Sequence, residues 1–170
     1  SSGLVPDAIT YNSVLNSLAS HGKVEAADAL ADDMLGAGVA PDAFTLGALL
    51  KARVVRSGVA EASAELPTLL KRLTAAGHPP LRPGLIAYLL LLNEWARAED
   101  QENVMSILRA AHDDSLVLPA RAYHTALHLM ERRGATHLAA ECMSIMDAAG
   151  VAIPSKTRES LRMRVDDDDD

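Results

Sequence analysis

The chain has 170 residues, with 16 basic and 23 acidic side chains and a formal net charge of −7. Five of the acids form the closing run Asp166–Asp170; without them the balance is 16 to 18, so the body is nearly neutral and charge alone does not point to nucleic acid. Hydrophobic residues make up 49%, enough for a core, yet the longest apolar run, Leu85–Leu92, is far short of the roughly 20 residues a membrane span needs, and the single cysteine, Cys142, excludes a disulfide framework or a multi-cysteine metal site.

The chain opens Ser1-Ser2-Gly3 without a methionine, and nothing there reads as a signal peptide. Gly3-Leu4-Val5-Pro6-Asp7 has the form of Gly38-Val39-Ala40-Pro41-Asp42, the close of a helical unit. Residues 1–7 are therefore expected to end a preceding repeat, making the chain a piece of a longer array, and a targeting segment could have been lost with whatever lay upstream. Ile9, Tyr11, Val14, Leu15 and Leu18 then recur at helical spacing until His21-Gly22 breaks them. Val24, Ala27, Leu30, Ala31 and Met34 form a second apolar stripe, which Gly36 and Gly38 end. Asp42, after Pro41, is expected to cap the next helix.

From Ala43 the pattern returns with seven extra residues: one near Gly58, three in the second helix, and three within residues 77–83. Pro67 is expected to start or kink that second helix, because its ring clashes in a helix interior. A longer second helix and a stiff, proline-rich connection follow from this. Two more helix pairs lead to Pro154. Ser155–Val165 then reads as one further helix, capped by Ser155 with Glu159 nearby, and Asp166–Asp170 as a disordered tail.

The tyrosines set the period. Tyr88 and Tyr123 stand 35 residues apart, Tyr11 and Tyr88 77 apart, and Gly38, Gly77 and Gly150 with Pro41, Pro83, Pro119 and Pro154 keep the same rhythm. Four units emerge, 8–42, 43–84, 85–119 and 120–154, of 35, 42, 35 and 35 residues. A helix of about 13 residues cannot hide an apolar stripe alone, so the pairs must stack. The expected fold is an all-α solenoid whose inner groove is lined by the opening helix of each pair.

Catalytic signatures are missing from this segment: it has no glycine-rich phosphate loop, nucleophile motif or paired carboxylates. His124 and His128 have metal-ligand spacing, but no glutamate follows His124 and no third ligand stands at a telling distance, so no metal or cofactor is expected. Tyr11, Tyr88, Tyr123 and Trp95 read as core, and Cys142 as a buried, inert thiol. Asp32-Asp33 and Asp113-Asp114 read as solvated helix faces.

The first unit, with Ile9-Thr10-Tyr11-Asn12-Ser13-Val14-Leu15, Gly22-Lys23-Val24-Glu25-Ala26-Ala27, Met34 and Gly38-Val39-Ala40-Pro41-Asp42, resembles the pentatricopeptide repeat (PPR) family. Unit four keeps Tyr123, Gly134, Ala139, Met146 and Gly150 at the matching places, while units two and three are looser. The tetratricopeptide repeat has a period of about 34 residues and a different Trp/Leu/Gly/Tyr arrangement.

The resemblance implies a right-handed α-solenoid that binds single-stranded RNA in a mitochondrion or chloroplast. In that family the fifth and last residues of a unit read one base, the second residues of consecutive units sandwich it, and a basic thirteenth residue meets phosphate. Carried over, Asn12 and Asp42 form a pair associated with uracil, clamped by Ile9 and Phe44; Ile86 holds the second place of unit three. Gly47 with Gly84, Leu89 with Pro119 and His124 with Pro154 form no recognisable code. The thirteenth places hold Ser20, Val55, Arg97 and Arg132, so Arg97 and Arg132 are phosphate candidates; as helix-end cations they also suit the macrodipole. Lys51, Arg53 and Arg56 add charge on the first helix of unit two.

The expected function is a non-catalytic organellar RNA-binding solenoid, acting in RNA processing or translation or within an organellar ribosome or other ribonucleoprotein. Its partners would be single-stranded or ribosomal RNA and neighbouring proteins of a large complex. The alternative is a protein-interaction scaffold with little RNA contact, which the near-neutral body favours. An enzymatic activity would belong to sequence outside this segment.

Overall fold

The computed structural model describes residues 6–74, 81–155 and 157–159. They form eight helices: α1 (Ala8–Ser20), α2 (Val24–Gly36), α3 (Ala43–Ser57), α4 (Val59–Thr74), α5 (Leu85–Arg97), α6 (Gln101–Asp113), α7 (Ala120–Arg133) and α8 (Thr136–Ala148). Ser155 and residues 157–159 are also helical. No described helix is long and apolar enough to cross a membrane. Two compact units divide the chain, residues 1–90 and 91–170, with α5 beginning in the first and ending in the second.

In the first unit α3 is the central helix. It packs against α1, α2 and α4, while α1 also packs on α2. Its sequence accordingly loses the one-sided pattern of a surface helix: Thr45 through Leu50, then Ala52 and Arg53, are all buried. Leu15 and Ala19 of α1, Ala27, Ala31 and Met34 of α2, and Leu69 and Leu73 of α4 complete this core. Tyr11 is buried with them, as its spacing predicted.

Local chemistry sets the helix ends. Asp7 caps α1, accepting from the Thr10 amide at 2.8 Å. His21 closes that helix and Gly22 turns the chain with φ +62°. Asp42 caps α3: its Oδ1 accepts from the amides of Phe44 and Thr45, both at 2.9 Å, while Thr45 Oγ1 accepts from the Asp42 amide at 3.1 Å. This is a reciprocal capping box.

At 16 residues α4 is three longer than α2, which agrees with the three residues assigned there as an insertion. Pro67 does not start it. The helix begins at Val59 and continues through Pro67, with Ala62, Leu69 and Leu73 holding it on the core from both sides of the ring. The proline-rich connection falls largely on residues 75–80, outside the described residues.

In the second unit α6 packs on α7 and α8, and α7 on α8. Val104, Met105 and Leu108 of α6 meet a core that includes Leu127, Met130, Leu138, Cys142 and Met146. Tyr123 is buried, and its hydroxyl accepts from the Leu118 amide at 3.1 Å. Cys142 is buried too, and burial pushes its thiol up to about 12. Asp100 caps α6 by accepting from the Asn103 amide at 3.0 Å. Past Pro154, Ser155 is itself helical and the Pro154 carbonyl accepts from the amides of Thr157 and Arg158, so Pro154 occupies the capping place predicted for Ser155. The rest of the predicted last helix and the aspartate run lie outside the described residues.

Candidate functional site

Three of the large apolar side chains left exposed are Ile9, Phe44 and Ile86, at 76%, 62% and 37%. Each sits in the first turn of its helix, α1, α3 and α5. Between them runs a groove of about 570 Å³, entirely within the first unit. Asn12, Ser13 and Asn16 of α1, Asp42, and Gly47, Ala48 and Lys51 of α3 line it, with Ile86 and Leu90 of α5 at one end.

Its polar centre is Asn12. Asn12 Nδ2 donates to both carboxylate oxygens of Asp42, at 3.0 and 3.2 Å. Asn12 Oδ1 accepts from Thr45 Oγ1 at 2.8 Å. A carboxamide offers two N–H donors and two carbonyl lone pairs. These bonds use one of each, so one donor and one acceptor remain for a ligand entering between Ile9 and Phe44. The capping box thus has a second role, because the carboxylate that starts α3 also holds the amide of α1.

Lys51 stands beside this centre, its Nζ donating to Ser20 Oγ at 3.0 Å and Asn16 Oδ1 at 3.3 Å. Its charge borders the groove. Arg53 and Arg56 do not accompany it. Arg53 is 7% exposed and turned inward: its Nη2 donates to Asp28 at 2.9 Å, its Nη1 to the Leu49 carbonyl, and its Nε to Glu65. Arg72 joins the same cluster through Asp28 and Asp32, at 3.1 and 2.6 Å. Arg53 therefore ties α2, α3 and α4 together and is withdrawn from the phosphate candidates. Arg56 lies outside the groove lining and pairs with Glu25 of α2 on the surface.

In the second unit Arg97 pairs with Glu94 on its own helix, and Arg132 with Glu99 at 3.0 Å. Both arginines are well exposed, and both occupy the last turn of a helix, as their spacing predicted.

The groove changes character beyond Phe44. A Cβ on Gly47 would come within 2.6 Å of the Ile86 side chain, and one on Gly84 within 2.8 Å of Ala43. These glycines let the start of α5 lie directly on α3, so the slot between Phe44 and Ile86 is apolar and shallow. Sequence reasoning read Gly47 and Gly84 as places without a reading side chain; their packing role needed the neighbouring helix to be visible. Thr45, Asn16 and Leu90 were not singled out either. Thr45 carried one usable signal, three residues beyond a predicted cap.

Residues 6–53 match the PPR repeat family. Over these residues the chain is similar to pentatricopeptide repeats. Its fold is also that of solved PPR structures. It is similar to the pentatricopeptide repeat protein PPR10 from maize, with a TM-score of 0.55 and 24% identity over 89% of this chain. It spans about a fifth of that protein's length, covering 21% of it. It is likewise similar to the PPR domain of Arabidopsis thaliana protein-only RNase P 1 (PRORP1), solved in complex with tRNA, with a TM-score of 0.63 and 14% identity over 95% of this chain and 81% of that one. No curated protein matches this chain in sequence. The matched stretch, 6–53, contains Ile9, Asn12, Asp42, Phe44, Thr45 and Lys51, so the repeat signature and the groove coincide.

Proposed function

We propose that this PPR chain binds single-stranded RNA without catalysing a reaction, and that one nucleobase is read at Asn12 between Ile9 and Phe44. The observation that carries this is the Asn12 carboxamide, held by Asp42 on one side and Thr45 on the other in a groove with apolar walls. Uracil presents an N–H donor beside a carbonyl acceptor, which the remaining Oδ1 lone pair and Nδ2 proton complement. Splayed bases of single strands are recognised in this way, on a Watson–Crick edge between flat or apolar faces. The two similar structures support the reading: one is of a PPR protein and the other of a PPR domain in complex with tRNA.

Lys51 supplies the nearest cation for the RNA backbone. In the second unit Arg97 and Arg132 are open to phosphates of their own, because exposed ion pairs are worth little and a phosphate can displace Glu94 or Glu99 as partner. The repeat units are 8–42, 43–84, 85–119 and 120–154, each holding one helix pair. With one unit in four carrying a reading pair, the chain grips RNA largely by shape and charge, as suits a subunit of an organellar ribonucleoprotein such as a ribosome.

Binding of fluorescent oligouridylate and oligoadenylate to the chain and to its Asn12→Ala form tests this. The uridylate is expected to bind more tightly, and Asn12→Ala to lower its affinity about tenfold, within the roughly 1–3 kcal/mol of a bidentate base contact. Equal binding of both RNAs, unchanged by Asn12→Ala, would overturn it. The scaffold reading rests on the ion pairs that engage Arg53, Arg56, Arg97 and Arg132, and RNA binding absent at low salt would favour it.

A further inference from the structure

The hydroxyl of Thr45 is fully buried in the first turn of α3, yet it reaches the groove through another side chain. It accepts the Asp42 amide proton at 3.1 Å, and its own proton is then directed at an acceptor. Asn12 Oδ1 at 2.8 Å is nearer than Asp42 Oδ1 at 3.1 Å or Met34 Sδ at 3.9 Å. We infer that Thr45 is a positioning residue that sets uracil against cytosine at this site, by fixing which way round the Asn12 carboxamide faces. The inference rests on the RNA-binding reading above.

An asparagine amide and the same amide turned by 180° have almost the same shape, and only their partners distinguish them. Here both partners agree. The Asp42 carboxylate accepts only, so it holds the NH2 end. The Thr45 hydroxyl, with one of its two lone pairs engaged by the Asp42 amide and Asn12 Oδ1 its nearest acceptor, donates there and so holds the carbonyl end. A turned amide would set its carbonyl against a carboxylate and its NH2 against a hydroxyl proton.

This orientation decides the base. Uracil has a donor at N3 flanked by carbonyl acceptors, and the fixed amide satisfies it. Held in the same place, cytosine sets an acceptor at N3 and an amino donor where uracil has a donor and a carbonyl, and pairs there only with the turned amide. Asp42 alone would leave the choice to one contact. Thr45 adds the second, and because it is buried in the body of α3 it does so without touching RNA.

The test compares affinities for oligouridylate and oligocytidylate of equal length across wild type, Thr45→Ser, Thr45→Val and Thr45→Ala, with a thermal melt of each. Wild type and Thr45→Ser, which keeps the hydroxyl, should share one preference for uridylate. Thr45→Val is expected to reduce that preference about fivefold, the worth of one hydrogen bond, partly by improving cytidylate binding. Thr45→Ala removes the same hydroxyl and carries the comparison if valine prevents folding. An unchanged uridylate-to-cytidylate ratio in both hydroxyl-free variants overturns the positioning role and leaves RNA binding standing. Loss of preference in Thr45→Ser as well assigns the effect to packing and also overturns it. Wild type that binds neither RNA overturns the RNA reading and this inference with it, whereas wild type that binds both equally overturns this inference and leaves RNA binding standing.

Discussion

Arg53 and Lys51 lie two residues apart on α3 and do different jobs. Residues at that separation stand about 200° apart around a helix, and Arg56 a further 300° or so on. Three basic residues in a short stretch therefore cannot share one face. The sequence reading nonetheless grouped all three. Which of the three faced the groove was not legible there, because it depends on where Asp28 and Glu65 come to lie on the neighbouring helices. Lys51→Gln is expected to reduce the slope of log affinity for oligouridylate against log salt by about 0.7, the value for one phosphate on a single strand. Arg53→Ala should leave that slope alone and destabilise the fold by about 2 kcal/mol in denaturant melts. The figure lies below that for a fully buried pair because Glu65 reaches solvent. Cys142 gives a simpler check: with its thiol raised to about 12 and no exposure, it should resist a thiol reagent at pH 8 until the protein is unfolded.

At the level of helices, turn geometry shows where the repeat has drifted. Gly22 and Gly134 follow first helices, and Gly38 and Gly150 follow second helices, all with positive φ between 62° and 74°. In the pair α5–α6 the same two places hold Glu99 and Ser115, each with φ 56°. A side chain in that region costs roughly 1–2 kcal/mol. Ser115→Gly should therefore raise stability by about 1 kcal/mol, read as a shifted denaturation midpoint. Glu99→Gly should gain less, since it also removes the partner of Arg132 and Arg133. The caps carry a pH signature. The Asn103 amide beside Asp100, and the Thr10 amide and hydroxyl beside Asp7, hold both carboxyls below the usual carboxylate range. A lowered folded value means that the caps stabilise fully above the unfolded value, and that this is lost as pH falls through the folded one. The difference in melting temperature between wild type and Asp100→Ala should be widest near neutrality and close towards pH 2. Helix existence was readable from apolar spacing and glycine breaks. Whether Pro67 starts α4 or lies inside it was not, because burial on both sides of the ring is what offsets the local penalty.

For the whole molecule, a net charge of −7 opposes approach to RNA, and five of those charges sit in Asp166–Asp170. Deleting these five residues should speed association with oligouridylate at low ionic strength, with the gain fading by about 0.15 M salt, where the screening length is near 8 Å. The repeat period, the number of helix pairs and the pairing of Asn12 with Asp42 were visible in the sequence because each depends on residues at fixed intervals. The floor of the groove was not, since it is made where helices from successive pairs meet. Ile86 resting on Gly47 is the clearest case. Recoding this stretch to recognise a second nucleotide by exchanging only Gly47 for asparagine would drive the new side chain into Ile86. Specificity could be extended along the strand only by trimming Ile86 in the same step, so the alphabet of this array is constrained by contacts between its letters.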